Sequence, residues 1–207
     1  MKSLSFAAGA ALFACAATGF SQTQVACGSA LDAPLRSRGT LTIESRPAGV
    51  EIVGTDHDTI HVTCTADDPE TAENVQVRFS GIADNGKLTI SGGYVHRGDL
   101  KIRVEVPRET SVRVRMSAGQ VTVDELTGDK DIALTAGQIT IRAAHGWDYR
   151  RVDASVDIGE VNAPAYGADK GGFFRSFTKS TSDGEYLLRA HVMTGEIDLL
   201  GGNAKAE

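Results

Sequence analysis

The densest group of potential metal ligands lies in residues 55–59, TDHDT, where Asp56 and Asp58 flank His57. His61 would share a face with His57 in an extended strand, so a metal site is conceivable. Aspartate is also a common turn residue, and we therefore interpret this segment as a polar turn. Three further histidines have no carboxylate or cysteine partner at a motif spacing: His96, His145 and His191. We predict no metal site and no cofactor.

Residues for nucleophilic or acid–base catalysis are equally hard to place. The sequence contains no GxSxG elbow and no P-loop. Four aspartates near expected chain corners could converge on the groove of a polysaccharide-acting enzyme: Asp124, Asp129, Asp131 and Asp157. Aspartate at a turn is ordinary, however, and short turns leave little room for a cleft. We predict that the chain is not an enzyme, with a polysaccharide-acting enzyme on a β-helix as the alternative.

An outward basic stripe is expected from Arg113 and Arg115 in the sequence VRVRM, together with Arg103 on the preceding predicted strand. Glu105 could pair with one of these arginines across strands. The stripe fits either a solvated face or a site for an anionic glycan. The chain has a net charge of −6 and no basic cluster, which argues against nucleic acid and anionic membrane surfaces as partners.

Aromatic residues concentrate in residues 143–183, which hold six of the nine that follow residue 20. We expect this segment to be irregular. Two adjacent phenylalanines follow a pair of glycines there, and in a strand they would face opposite ways. An exposed ring beside a basic side chain suits stacking on a sugar or docking of a partner, whereas buried rings would close the end of the core. The candidate binding surface comprises Lys170, Phe173, Phe174 and Arg175.

The elements that must position these residues are short repeated strands. SAGQVTVD (117–124) returns eighteen residues later as TAGQITIR (135–142), and a third unit lies between them at 127–135. Apolar and polar residues alternate within each unit, which is typical of half-buried strands. Glycine spaced by nine residues supplies the corners. Stacked copies would share one apolar interior, so the pattern predicts an all-β solenoid, or β-helix, rather than an antiparallel sandwich.

Further strands are predicted on both sides of the repeats. The motif of the repeats recurs at 48–54, 158–163 and 194–200. Asp68 followed by Pro69 indicates the start of a short helix or turn. Alternation predicts six strands before the repeat block, at residues 40–45, 50–53, 59–65, 74–80, 87–91 and 100–106.

The N-terminal residues 1–20 have the features of a bacterial secretory signal, because Lys2 precedes an apolar run too short to span a membrane. The sequence around Cys15 also resembles a lipobox, so lipid attachment at Cys15 is a second possibility. Export to the periplasm or cell surface places the chain in an oxidising compartment, where cysteines pair. We predict a disulfide between Cys27 and Cys64, with two buried free thiols as the alternative.

The repeat block and the C-terminal sequence GEYLLRAHVMTGEIDLLG together resemble the DUF4097/DUF2807-type family of bacterial putative adhesins over residues 38–200. That family carries repeated (S/T)xGxIxV units on a signal-bearing chain. The resemblance implies an exported, single-chain β-solenoid without enzymatic activity. It brings no catalytic residues to this chain.

Together these features predict a signal peptide (1–20), an N-terminal extension (21–38), a solenoid domain (39–200) and a C-terminal tail (201–207). The predicted function is a non-catalytic, adhesin-like binding or scaffold role in the cell envelope. The expected partner is a cell-envelope glycan or a surface protein. An envelope-stress signalling component is a further alternative.

Overall fold

The computed structural model describes residues 20–46, 48–92, 100–143, 148–166 and 168–201. For residues 143, 165 and 168–174 within these ranges, it describes only the backbone. Nearly all of the predicted signal peptide, including Cys15, lies outside the described residues. The described residues contain the short α-helix α1 (Pro69–Asn74) and thirteen strands: β1 Ser21–Ala26, β2 Leu31–Pro34, β3 Thr40–Ser45, β4 Ala48–Thr55, β5 Thr59–Ala66, β6 Val75–Ile82, β7 Asn85–Gly92, β8 Leu100–Pro107, β9 Ser111–Asp124, β10 Lys130–Ala143, β11 Tyr149–Ala163, β12 Ala168–Ser180 and β13 Tyr186–Gly201.

All thirteen strands belong to one mixed sheet. Its main path runs β1-β6-β7-β3-β9-β10-β13-β11-β12, and a branch leads from β9 through β4, β8 and β5 to β2. Pairing is parallel from β7 to β11 along the main path and from β9 to β8 along the branch. Antiparallel pairs occupy the ends of the sheet, at β1-β6-β7, β8-β5-β2 and β11-β12. The chain is therefore an all-β protein with a large, mostly parallel centre.

The sequence repeat appears in the structure as strand register. Gly119 of β9 lies opposite Gly137 of β10, and the residues around each glycine are paired in the same register. Both glycines have a positive φ, +126° and +130°, which L side chains rarely adopt. Before Gly119, β9 pairs with β3, and from Gly119 onward it pairs with β4. Gly119 therefore lies where β9 passes from one part of the sheet to another, and Gly137 occupies the matching position of β10.

The C-terminal strand β13 lies between β10 and β11. Gly195 is in register with Gly137 on one side and with Gly159 on the other. The repeats therefore do not follow one another in chain order. The 36 residues from Gly159 to Gly195 include β12, which pairs antiparallel with the outer side of β11. Residues 143–183 were expected to be irregular, and the structure differs. Most of their described part is strand, because aromatic residues are favoured in strands and β12 pairs with β11 along its length.

The N-terminal extension joins the same sheet, because β1 pairs with β6 and β2 pairs with β5. The predicted disulfide is confirmed: Cys27 and Cys64 are bonded, with their Cα atoms 4.9 Å apart. The helix start is confirmed as well. Asp68 caps α1 by accepting a hydrogen bond from the backbone of Thr71, and Pro69 is the first helical residue.

Alternation along the strands separates core from surface. Val121 and Ile139 lie opposite each other and are 1% and 0% exposed, as expected from the repeat. Thr122 and Thr140, one residue further along, are in register on the other face and only half-buried. A charged residue at an inward-facing position of a strand would therefore lie in a continuous apolar interior.

Lys130 is the exception to an uncharged core among the described residues, since it is only 1% exposed. Its Nζ donates hydrogen bonds to the carbonyl oxygens of Leu126 (2.7 Å) and Gly128 (3.1 Å) and to the hydroxyl of Tyr149. Burial lowers the pKa of Lys130 to about 7, although the negative charges of Asp148 and Asp129 act in the opposite direction.

Candidate functional site

The TDHDT segment forms an exposed bend between β4 and β5. Asp56 accepts a hydrogen bond from Arg108, and His61 Nδ1 lies 2.7 Å from the carboxylate of Asp32. The partner acid of His61 therefore comes from β2 and not from the segment itself. Within the described ranges, no three histidine, cysteine or carboxylate side chains meet as a metal site would require. His96 and His145 lie outside the described residues.

The four candidate aspartates do not converge on one groove. Asp124 pairs with Arg142 at 2.8 Å, and Asp129 accepts a hydrogen bond from the backbone N–H of Leu187. Asp157 lies on a different strand, β11, and Asp131 pairs with Arg113 and Arg115 of the arginine stripe. The arrangement expected of a polysaccharide-acting enzyme is therefore not formed by these carboxylates.

The arginine stripe is exposed, but its charges are paired. Asp131 of β10 lies 3.2 Å from Arg113 and 2.7 Å from Arg115, both on β9. Burial raises the pKa of Asp131, but the hydrogen bonds and charges of Arg115 and Arg113 together outweigh burial, so this pKa lies below its usual value. Arg103, on β8, is held by Glu105 at 2.9 Å and Glu51 at 2.7 Å. An incoming anion would have to compete with these carboxylates.

A groove of about 440 Å³ lies beside Arg103, on the outer face of β9, β4, β8 and β5. Strand pairing aligns its side chains in two rows. The first row, from β9 to β5, is Thr122, Glu51, Arg103 and Thr63, and the second is Gln120, Gly49, Lys101 and Thr65. Because Gly49 has no side chain, a gap separates Gln120 from Lys101, and this gap deepens the groove.

Gly49 differs from the corner glycines in what its backbone requires. A Cβ on Gly119 would overlap the carbonyl oxygen of Ala48, whereas a Cβ on Gly49 would meet only the oxygen of Leu100, at an ordinary 3.6 Å. The groove was not predicted because Gly49 falls in the motif AGVEIVG, where it resembles a corner glycine. The sequence signal that could have indicated the groove is the position of Gly49, directly before the alternating residues that begin at Val50.

A ladder of amides and carboxylates continues the rows of the groove across β10, β13 and β11. Gln138 Nε2 donates to Asp198 at 2.8 Å, and Asn162 Nδ2 donates to Glu196 at 2.9 Å. Burial, followed by the neighbouring charges of Asp198 and Glu160, raises the pKa of Glu196. The outer face is therefore acidic on the β13 side and carries cationic side chains on the β8 side.

A second, more open groove of about 470 Å³ lies over β9, β10 and β13, around Ala133 and His191. His191 Nδ1 is 3.0 Å from Ser155 Oγ, which pairs a potential nucleophile with a potential base. In the described part of the chain, however, no carboxylate contacts the His191 ring to complete a triad. Among the described residues the pair therefore lacks the acidic group that would orient the imidazole as a base.

The described aromatic rings of 143–183 pack at the end of the core. Tyr149 is buried, Phe177 is 8% exposed, and the rings of Phe177 and Tyr166 are 5.6 Å apart. The backbone of the candidate binding surface lies in the edge strand β12, and Arg175 is exposed. The side chains of Lys170, Phe173 and Phe174 lie outside the described residues, so this surface stays a prediction.

Comparison with known proteins shows similarity of fold alone. No protein-family model matches the chain, and no curated protein matches it. Among solved structures, a putative cell adhesion protein from Clostridium sporogenes ATCC 15579 has a similar fold, with a TM-score of 0.51 and 10% identity over 84% of this chain and 99% of that one. A putative adhesin from Bacteroides fragilis NCTC 9343 aligns over 85% and 96% of the chains, with a TM-score of 0.23 and 7% identity. No described helix has the length and hydropathy needed to cross a membrane.

Proposed function

We propose that the chain is an exported cell-envelope protein with a non-catalytic, adhesin-like role in binding or scaffolding. The observation that carries the proposal is the fold shared with the Clostridium sporogenes protein, which is described as a putative cell adhesion protein. The Cys27–Cys64 disulfide supports export, since such bonds persist in oxidising compartments. The resemblance to the DUF4097/DUF2807-type family, noted in the sequence, points the same way.

The architecture proposed with this role is a β-solenoid with antiparallel ends. It is supported by the 18-residue register between β9 and β10 and by the aligned glycines at their corners. Solenoids present long rows of side chains on a rigid surface, which suits repeated weak contacts with an extended partner. The expected partner is a cell-envelope glycan or a surface protein.

The test is retention of the exported protein on its own envelope fraction, with turnover of envelope polysaccharides measured in parallel. Retention without turnover is expected, whereas release of saccharide products would overturn the non-catalytic role. Single changes Phe173→Ala and Phe174→Ala test the candidate surface of Lys170, Phe173, Phe174 and Arg175. If the ring is exposed in that surface, its removal should weaken retention without lowering the melting temperature. If the ring closes the core, its removal should lower the melting temperature without weakening retention.

A further inference from the structure

The groove at Gly49 contains a cation that no acid in the described residues neutralises. Arg103 is held between Glu51 and Glu105, and the other members of the arginine stripe share Asp131. Lys101 is exposed and forms no ion pair within the part of the chain that the structure describes. On a chain whose net charge is −6, this lysine offers a positive charge that no described acid neutralises, beside a concave surface.

The side chains around Lys101 carry hydroxyl and amide groups. Thr65 and Gln120 are exposed in the same row, and Thr63 and Thr122 are half-buried in the adjacent row. Each hydroxyl or amide both donates and accepts hydrogen bonds, as the hydroxyls of a sugar ring do. The volume of about 440 Å³ lies in the range of small-molecule sites.

The strands beneath the groove exclude main-chain recognition of a peptide. β4 is paired with β8 and β9, and β8 is paired with β4 and β5, so neither offers a free edge for strand addition. A ligand must therefore be recognised by side chains alone. The exposed side chains of the groove are polar, and they provide none of the apolar anchors on which peptide binding depends.

We propose that this groove binds a carboxylate-bearing sugar unit of an acidic glycan, with Lys101 contacting the carboxylate and with Thr65 and Gln120 contacting ring hydroxyls. The assignment rests on the proposed binding function and gives it a location and a ligand class. The carboxylates of Glu196 and Asp198, on β13, would repel the ligand on that side and orient its acid group towards β8. Because none of the described residues that line the groove is aromatic, a sugar has no described ring to stack on, and we expect a weak single-site affinity.

The experiment is a titration of ¹⁵N-labelled, disulfide-bonded protein with trigalacturonic acid, using its methyl ester as the uncharged probe. Amide shifts are expected at Gly49, Lys101 and Thr65 with a millimolar Kd, and the ester should bind about fivefold more weakly, as loss of one exposed ion pair predicts. Gly49→Leu, which fills the gap without backbone strain, should abolish the shifts. Ala133→Leu, the matched change in the second groove, should leave them intact.

Lys101→Gln should abolish the preference for the acid over the ester, whereas Lys87→Gln, at a lysine paired with Glu44, should keep it. Undiminished shifts in Gly49→Leu, or equal binding by triglutamate, would overturn the proposal. Envelope retention of the same proteins separates the two conclusions. If wild-type protein is retained but trigalacturonic acid causes no shift at the groove, the glycan site is wrong and the envelope role stands. If neither is observed, both are wrong.

Discussion

Lys130 and Tyr149 meet in the core although their strands, β10 and β11, are not neighbours in the sheet. The Nζ of Lys130 donates a hydrogen bond to the hydroxyl of Tyr149 and lies 4.7 Å from the centroid of its ring. β13 lies between the two strands, so this contact fastens together the elements that flank the C-terminal strand. It also places an ionisable amine where water has almost no access.

The stability of the protein should rise with pH between about 7 and 10 because of Lys130. Its folded-state pKa of about 7 lies below the usual lysine value, so in this window the unfolded chain binds a proton that the folded chain lacks. Linkage then increases the free energy of unfolding by up to about 1.4 kcal/mol per pH unit. Urea unfolding at pH 6.5 to 9.5 measures the slope. In Lys130→Met the slope should disappear, and an equal slope in both proteins would contradict the assignment.

A charge placed on the inward face of the repeat should be far more destabilising than the same charge on the outward face. Ile139→Lys puts an ammonium into the apolar interior and should cost several kcal/mol, about 3 or more. Thr140→Lys, one residue further, points outward beside Asp198 and should cost about 0.5 kcal/mol or less. Thermal unfolding of the two variants checks this, and similar losses would refute the inward and outward assignment.

The corner glycines should resist substitution where the strand glycine does not. Gly137→Ala puts a Cβ into the carbonyl oxygen of Gly119 at a positive φ, which should cost about 2–3 kcal/mol or more. Gly49→Ala meets neither obstacle and should be neutral or slightly stabilising. Chemical unfolding of the pair measures the difference. Equal tolerance would mean that the corner geometry relaxes freely.

Removal of β13 should disrupt the sheet more than its terminal position in the chain suggests. Truncation after Ser182 would expose facing edges of β10 and β11 and leave the β11–β12 pair without its main attachment. We expect aggregation and loss of cooperative unfolding, measured by size-exclusion chromatography and circular dichroism. A control truncation that removes only residues 202–207 keeps β13 and should behave as the full chain does. A monomeric, cooperative product after the longer truncation would contradict the pairing.

Local pattern was enough to predict several parts of the fold. The β3 strand, the capped start of α1 and the opposition of Val121 and Ile139 are confirmed with little or no shift of position. These features depend on alternation, on a cap and on a repeat, all of which act over a few residues or recur identically. The Cys27–Cys64 bond followed from the small number of cysteines, because only one pair remains beyond the signal segment.

The sequence by itself determined which residues face the core and where the chain turns, because side-chain alternation and glycine conformation are local properties. Only the tertiary structure decided that β13 lies between β10 and β11. Several strands carry the same alternation and the same glycine position, so local pattern does not choose which of them become neighbours. The groove also forms only in the tertiary structure. Lys101, Gly49 and Gln120 are far apart in the chain and become neighbours only through the register of three strands.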